Sequence, residues 1–178
     1  MRYFIPLLLF IVCFTSCKEK TTPVETIEVA ETAVTTTKYY LIRHAEKDRS
    51  DPENRNPSLT EEGNARANRW AEHFKAIPFD MIYSTDYNRT QETATPTATQ
   101  KGLEIQSYDP RTLFDVDFQE ATKGKTVLVV GHSNTTPMFA NAILQEERYE
   151  HIDDSDNSNL FIVTIKGDEK TSERLRVE

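Results

Sequence analysis

Short apolar runs recur along the chain, separated by polar segments whose apolar residues keep a longer period. Lys38 to Ile42, "KYYLI", reads as a buried strand, short and rich in β-formers. In "NRNPSLTEEGNARANRWAEHFKAI", Pro57 ends a loop and Thr60 marks a helix start. Leu59, Ala67, Trp70, Ala71 and Phe74 then form an apolar stripe at helical spacing. "FDMIYST" is a second strand. "NRTQETATPTATQKG" is a helix that Pro96 is expected to kink or split and Gly102 to close. "LEIQSY" reads as a short strand and "KTVLVVGH" as the clearest buried one. "NTTPMFANAIL" starts a helix with Pro137 in its first turn. "NLFIVTIKG" and "ERLRVE" close the chain as a strand pair at a sheet edge. Strands alternating with helices predict an α/β fold of three layers, a mainly parallel central sheet with helices on both faces.

The first residues do not fit this pattern. Arg2 precedes "YFIPLLLFIVCF", an unbroken apolar run from Tyr3 to Phe14. The run is short of the roughly 20 residues a spanning helix needs, and fits the apolar region of a secretory signal. Small residues lead from it into Cys17, and charged "KEK" comes directly after. Residues 1–16 resemble a bacterial lipoprotein signal, which makes Cys17 the lipidated first residue of an exported, membrane-anchored chain. A plain signal peptide cut near Cys17 is the alternative. Residues 17–37 are rich in Thr and Glu, lack aromatics, and read as a solvated tether in which Thr and Val permit an edge strand. The folded domain is expected over residues 38–178.

The chain has 178 residues, 37% of them hydrophobic and 28% charged, as in an ordinary soluble domain. Its net charge of -8 argues against nucleic-acid binding through a broad basic face. Any anion site on this body is a local pocket. In parallel sheets ligands bind outside the carboxyl ends of the strands. Arg43 and His44 end the first strand, "STDYNR" leaves the second and reaches Arg89, and "GHSN" carries His132 off the third long one. Two guanidinium forks and two imidazoles at one edge suit a dianionic phosphoryl group. A neutral imidazole there can attack phosphorus while the arginines hold the equatorial oxygens, and a nearby carboxylic acid must protonate a leaving alkoxide. The scheme needs no metal and no cofactor. His73 and His151 read as ordinary structural residues. The acidic "DDSD" run from Asp153 reads as a solvated loop, because a calcium loop needs regular ligand spacing and a glycine.

"LIRHAEK", "LTEEGNARA", "YSTDYNRTQETA" and "VLVVGHSNTTP" resemble the histidine phosphatase superfamily, whose fold is phosphoglycerate-mutase-like. The resemblance runs from about Lys38 to about Leu144. It implies a phosphomonoester hydrolase in which His44 is the nucleophile and Arg43, Arg89 and His132 hold the phosphoryl group. In mutase-like members the proton donor is a Glu in an L-x-E pattern, and "TLFDVDF" places Asp115 at that slot. Asp117 competes for the role, with Glu46 and Glu120 behind. The implied substrate is a phosphorylated small molecule or an exposed phosphomonoester. The alternative is a non-catalytic phosphate- or phospholigand-binding lipoprotein of the same fold.

Overall fold

The computed structural model describes Met1 and residues 34–178. The expected signal peptide, Cys17 and most of the tether lie outside the described residues. The chain runs β1 (Thr36–Arg43), α1 (Glu61–His73), β2 (Met81–Ser84), α2 (Asn88–Lys101), β3 (Ile105–Ser107), α3 (Val116–Thr122), β4 (Thr126–Gly131), α4 (Thr135–Leu144), β5 (Asn159–Lys166) and β6 (Glu169–Arg176). One six-stranded sheet has the order β3-β2-β4-β1-β5-β6. The first four strands are mutually parallel, and β5 and β6 add on antiparallel. β1 starts at Thr36, so the strand takes two residues expected in the tether. It is a central strand, not an edge.

Alternation along β1 builds the three layers. Tyr39 and Leu41 join Phe118, Phe139 and Ile143 of α3 and α4 on one face. Tyr40 and Ile42 join Trp70, Ala94 and Ala98 of α1 and α2 on the other. Successive strand residues point to opposite faces, so a continuous apolar run such as β4 serves both cores at once. The buried stripe of α1 is the one read from sequence, and Thr60 caps it by accepting from the Gly63 N–H at 3.0 Å. Pro96 does not split α2, which runs unbroken to Gly102 in the left-handed conformation. Thr93, Ala94, Thr97 and Ala98 are buried on both sides of the proline, and this packing outweighs the lost hydrogen bond. The β5–β6 pair forms as expected, with β6 at the edge and β5 inside it.

Register aligns the carboxyl ends of the two central parallel strands. Arg43 pairs with Gly131, the last residues of β1 and β4. The next residue of each strand is a histidine.

Candidate active site

His44 and His132 therefore leave adjacent parallel strands side by side, their ring centroids 5.5 Å apart. The His44 amide donates to the Gly131 carbonyl at 2.9 Å, which continues the ladder one step past the strands. The His44 carbonyl accepts from Asn157 Nδ2 at 2.7 Å. Its ring Nδ1 lies 2.7 Å from the Ala45 carbonyl oxygen. A carbonyl only accepts, so Nδ1 carries the proton and Nε2 keeps its lone pair. Burial, with Arg43, His132 and Arg89 nearby, outweighs that bond and pushes the imidazole down to about 3.

His132 is held by threonines. Its amide donates to Thr135 Oγ1 at 3.0 Å, and its Nε2 lies 3.0 Å from Thr85 Oγ1. The Thr85 hydroxyl donates to Thr90 Oγ1, which donates onward to the Thr85 and Tyr87 carbonyls. With its own proton committed, Thr85 accepts from His132 Nε2–H. Burial, then Arg89, Arg43 and Lys47, hold His132 down at about 4. Both imidazoles are neutral at neutral pH.

The two arginines are held differently. Arg43 is fully buried, and its Nη1 donates to the carbonyls of Asp153 at 2.9 Å and Asp156 at 3.1 Å. Its Nη2 donates to Asp154 Oδ1 at 2.6 Å. Arg89 is the second residue of α2, and its guanidinium carbon stands 4.4 Å from the centre of the Tyr87 ring. Three buried guanidinium nitrogens have no partner among the described residues: Arg43 Nε, Arg89 Nε and Arg89 Nη1. All four expected residues line one cavity of about 350 Å³, joined by Lys47, Tyr87, Asn134 and Asp154.

Asp115 is not brought to this cavity. It is the N-cap of α3 and accepts from the Phe118 N–H at 2.8 Å, lining a separate cavity with Tyr83, Ser107 and Asp117. The competing acids are also elsewhere. Glu46 pairs with Arg66 at 2.6 Å, and Glu120 is exposed on α3. Asp154 is the carboxylate that lines the His44 cavity. The "DDSD" run is an exposed loop from Asp153 to Ser155, as expected, and it also takes up most of the Arg43 donors at the end of β1. Nothing in the run's own pattern signals this, because its partner lies 111 residues away.

The matched family model is the histidine phosphatase superfamily (branch 1), over residues 39–111. No curated protein sequence matches the chain. Among solved structures, SixA from Agrobacterium tumefaciens, assigned as a phosphohistidine phosphatase, is 21% identical with a TM-score of 0.60, covering 79% of this chain and 99% of that one. A phosphoglycerate mutase from Bacillus anthracis is 15% identical with a TM-score of 0.64, covering 82% and 95%. A phosphoserine phosphatase mutant from Entamoeba histolytica, solved with phosphoserine, is 17% identical with a TM-score of 0.60, covering 76% and 94%. The fold is phosphoglycerate-mutase-like. The family match covers β1 to β3, and the solved structures share the fold.

Proposed function

We propose that the chain hydrolyses phosphomonoesters through a phosphohistidine on His44, and that it works outside the cytoplasm on a lipid anchor at Cys17. The observation that carries the chemistry is the pairing of a neutral His44, its Nε2 lone pair free, with the guanidinium groups of Arg43 and Arg89 in one cavity. In the first step Nε2 attacks phosphorus and the bond from phosphorus to the leaving oxygen breaks. Arg43 and Arg89 hold the charge on the equatorial oxygens. In the second step water attacks the phosphohistidine, the P–N bond breaks, and inorganic phosphate leaves with Nε2 restored. The arginines supply the positive charge, so the reaction proceeds without a metal. An alkyl leaving group also needs a proton, and Asp115 lies outside the cavity. Aryl phosphates, whose leaving groups depart unprotonated, are therefore the substrates expected to turn over first.

The displaced Asp115 also favours the second reading, a binding protein that holds a phosphoryl group without cleaving it. A generic aryl phosphate separates the two. Turnover that survives EDTA and falls by about 10⁴-fold or more in His44→Ala supports the enzyme. Phosphate binding with no turnover in the wild-type protein supports the binding protein. Activity lost on chelation and restored by a divalent ion overturns the mechanism.

The anchor rests on sequence alone: Arg2, the apolar run Tyr3–Phe14, and Cys17 after small residues. Among the described residues no helix is long and apolar enough to cross a membrane. Cys17→Ser is expected to move the protein from the membrane fraction to the soluble one, since acyl chains would provide the hold. A variant that stays with membranes at high salt rules the anchor out.

A further inference from the structure

The loop after α4 places a carboxylate on Arg43, in the cavity that also holds His44 and Arg89. Arg43 has five N–H donors. Two on Nη1 go to the carbonyls of Asp153 and Asp156, and one on Nη2 goes to Asp154 Oδ1. The other Asp154 oxygen meets Arg49 Nη2 at 2.7 Å. Arg49 also donates to the Asp154 carbonyl at 3.2 Å, which fixes the carboxylate over the end of β1. Arg43 itself needs no such partner to stay in place. Its stem is fully buried, and two backbone carbonyls already fix one end of its fork. The Asp154 side chain is largely exposed, so it is not a packing element either. What it does is bring a negative charge into a cavity whose other charged lining residues are Arg43, Lys47 and Arg89.

We propose that Asp154 is a built-in anion that competes with phosphoryl oxygens for Arg43 and weakens the hold of the site on inorganic phosphate. This inference rests on the phosphoryl-binding reading of the cavity. The consequence is a lower affinity for any phosphoryl group that must bind Arg43. A phosphomonoester can offset this common penalty with contacts from its alcohol portion, which free phosphate lacks. Burial opposes ionisation of Asp154, but the bond from Arg49 and the charge of Arg43 leave it below its ordinary value. The competing charge is thus present at neutral pH.

The test is a calorimetric titration of the full chain with inorganic phosphate at low salt. Asp154→Asn keeps the shape and an acceptor for Arg43 but removes the charge, and Asp154→Ala removes the group. Each is expected to bind phosphate about tenfold more tightly than wild type. Glu53→Gln, the same charge change on an exposed loop position, is expected to stay within about twofold of wild type. Equal or weaker binding in both Asp154 variants overturns the proposal, and so does an equal gain in Glu53→Gln. Arg89→Ala keeps this failure distinct from failure of the underlying reading. If wild type and all variants bind no phosphate, the phosphoryl site itself is wrong and the competition falls with it. If Arg89→Ala alone loses binding while the Asp154 variants match wild type, only the competition is wrong.

Discussion

Arg43 and Arg89 face the same cavity, yet they are held in opposite ways. Arg43 leaves the end of a central strand and spends three donor contacts on its own protein, tying residues 153–156 to β1. Arg89 enters from the first turn of a helix, rests on the Tyr87 ring, and leaves Nε and Nη1 buried without a partner among the described residues. A buried donor without a partner costs stability, whereas one bonded to a carbonyl contributes it. One arginine therefore serves fold and site together. The other is kept for the site at the expense of the fold.

The largest expected effect tests this contrast directly. Arg43→Ala is expected to lower activity and also to destabilise the protein by about 2–4 kcal/mol, because it strands the Asp153 and Asp156 carbonyls and removes a buried stem. Arg89→Ala is expected to lower kcat/KM by a comparable factor of about 10²- to 10³-fold, with stability within about 1 kcal/mol of wild type or above it. Thermal unfolding beside aryl phosphate turnover reads both quantities. Equal loss of stability in the two variants would erase the distinction.

The same contrast between local and distant partners governs what is legible in the sequence. β1, β4 and the stripe of α1 carry local signals: apolar runs bounded by polar residues, and a threonine cap at the right place. Once the strands are parallel and in register, the placement of Arg43, His44 and His132 is set by where the runs end. Two features have no such signal. Phe114, Val116 and Phe118 alternate with Asp115 and Asp117 at the strand period, so the pattern predicts no α3 and leaves Asp115 looking like a free acid. The acidic loop reads as solvated, which it is, but its hold on Arg43 is invisible because that partner is far away along the chain and close only after folding. Local periodicity reports elements, but it does not report which loop closes over a strand end.

Asp115 supplies the middle-sized prediction and sharpens the contrast between residues that serve the site and those that serve the fold. Its carboxylate caps α3. Asp115→Ala is expected to cost about 1 kcal/mol of stability, the usual value of an N-cap, and to change turnover of aryl and alkyl phosphates by the same small factor. Asp115→Asn keeps a capping oxygen and is expected to be near wild type in both respects. If alkyl phosphates alone lose about 10²-fold or more in Asp115→Asn, the carboxylate reaches the leaving group during turnover and the sequence-based assignment is right after all.

The smallest expected effect is a flat line, and it tests whether the two arginines act on charge as well as on geometry. Burial lowers His44 to about 3 and His132 to about 4, and the charges of Arg43 and Arg89 push in the same direction. Both values lie below the ordinary 6.5, so the folded protein keeps the imidazoles neutral where the unfolded chain protonates them. Between about pH 6.5 and about pH 4 the unfolded chain binds more protons, so stability falls as pH falls through that window. Above it the histidines add no pH dependence. The nucleophile is competent wherever Nε2 is unprotonated, so kcat/KM, corrected for the ionisation of the substrate, is expected to be level from about pH 8 to about pH 5. An inflection near 6.5 in the wild-type profile would show His44 titrating as if exposed, and the neutral, buried nucleophile would have to be given up. The Arg89→Ala profile then separates the causes. Removing one nearby charge while leaving the burial intact is expected to raise the acidic limb only modestly, because desolvation is the larger cause of the shift.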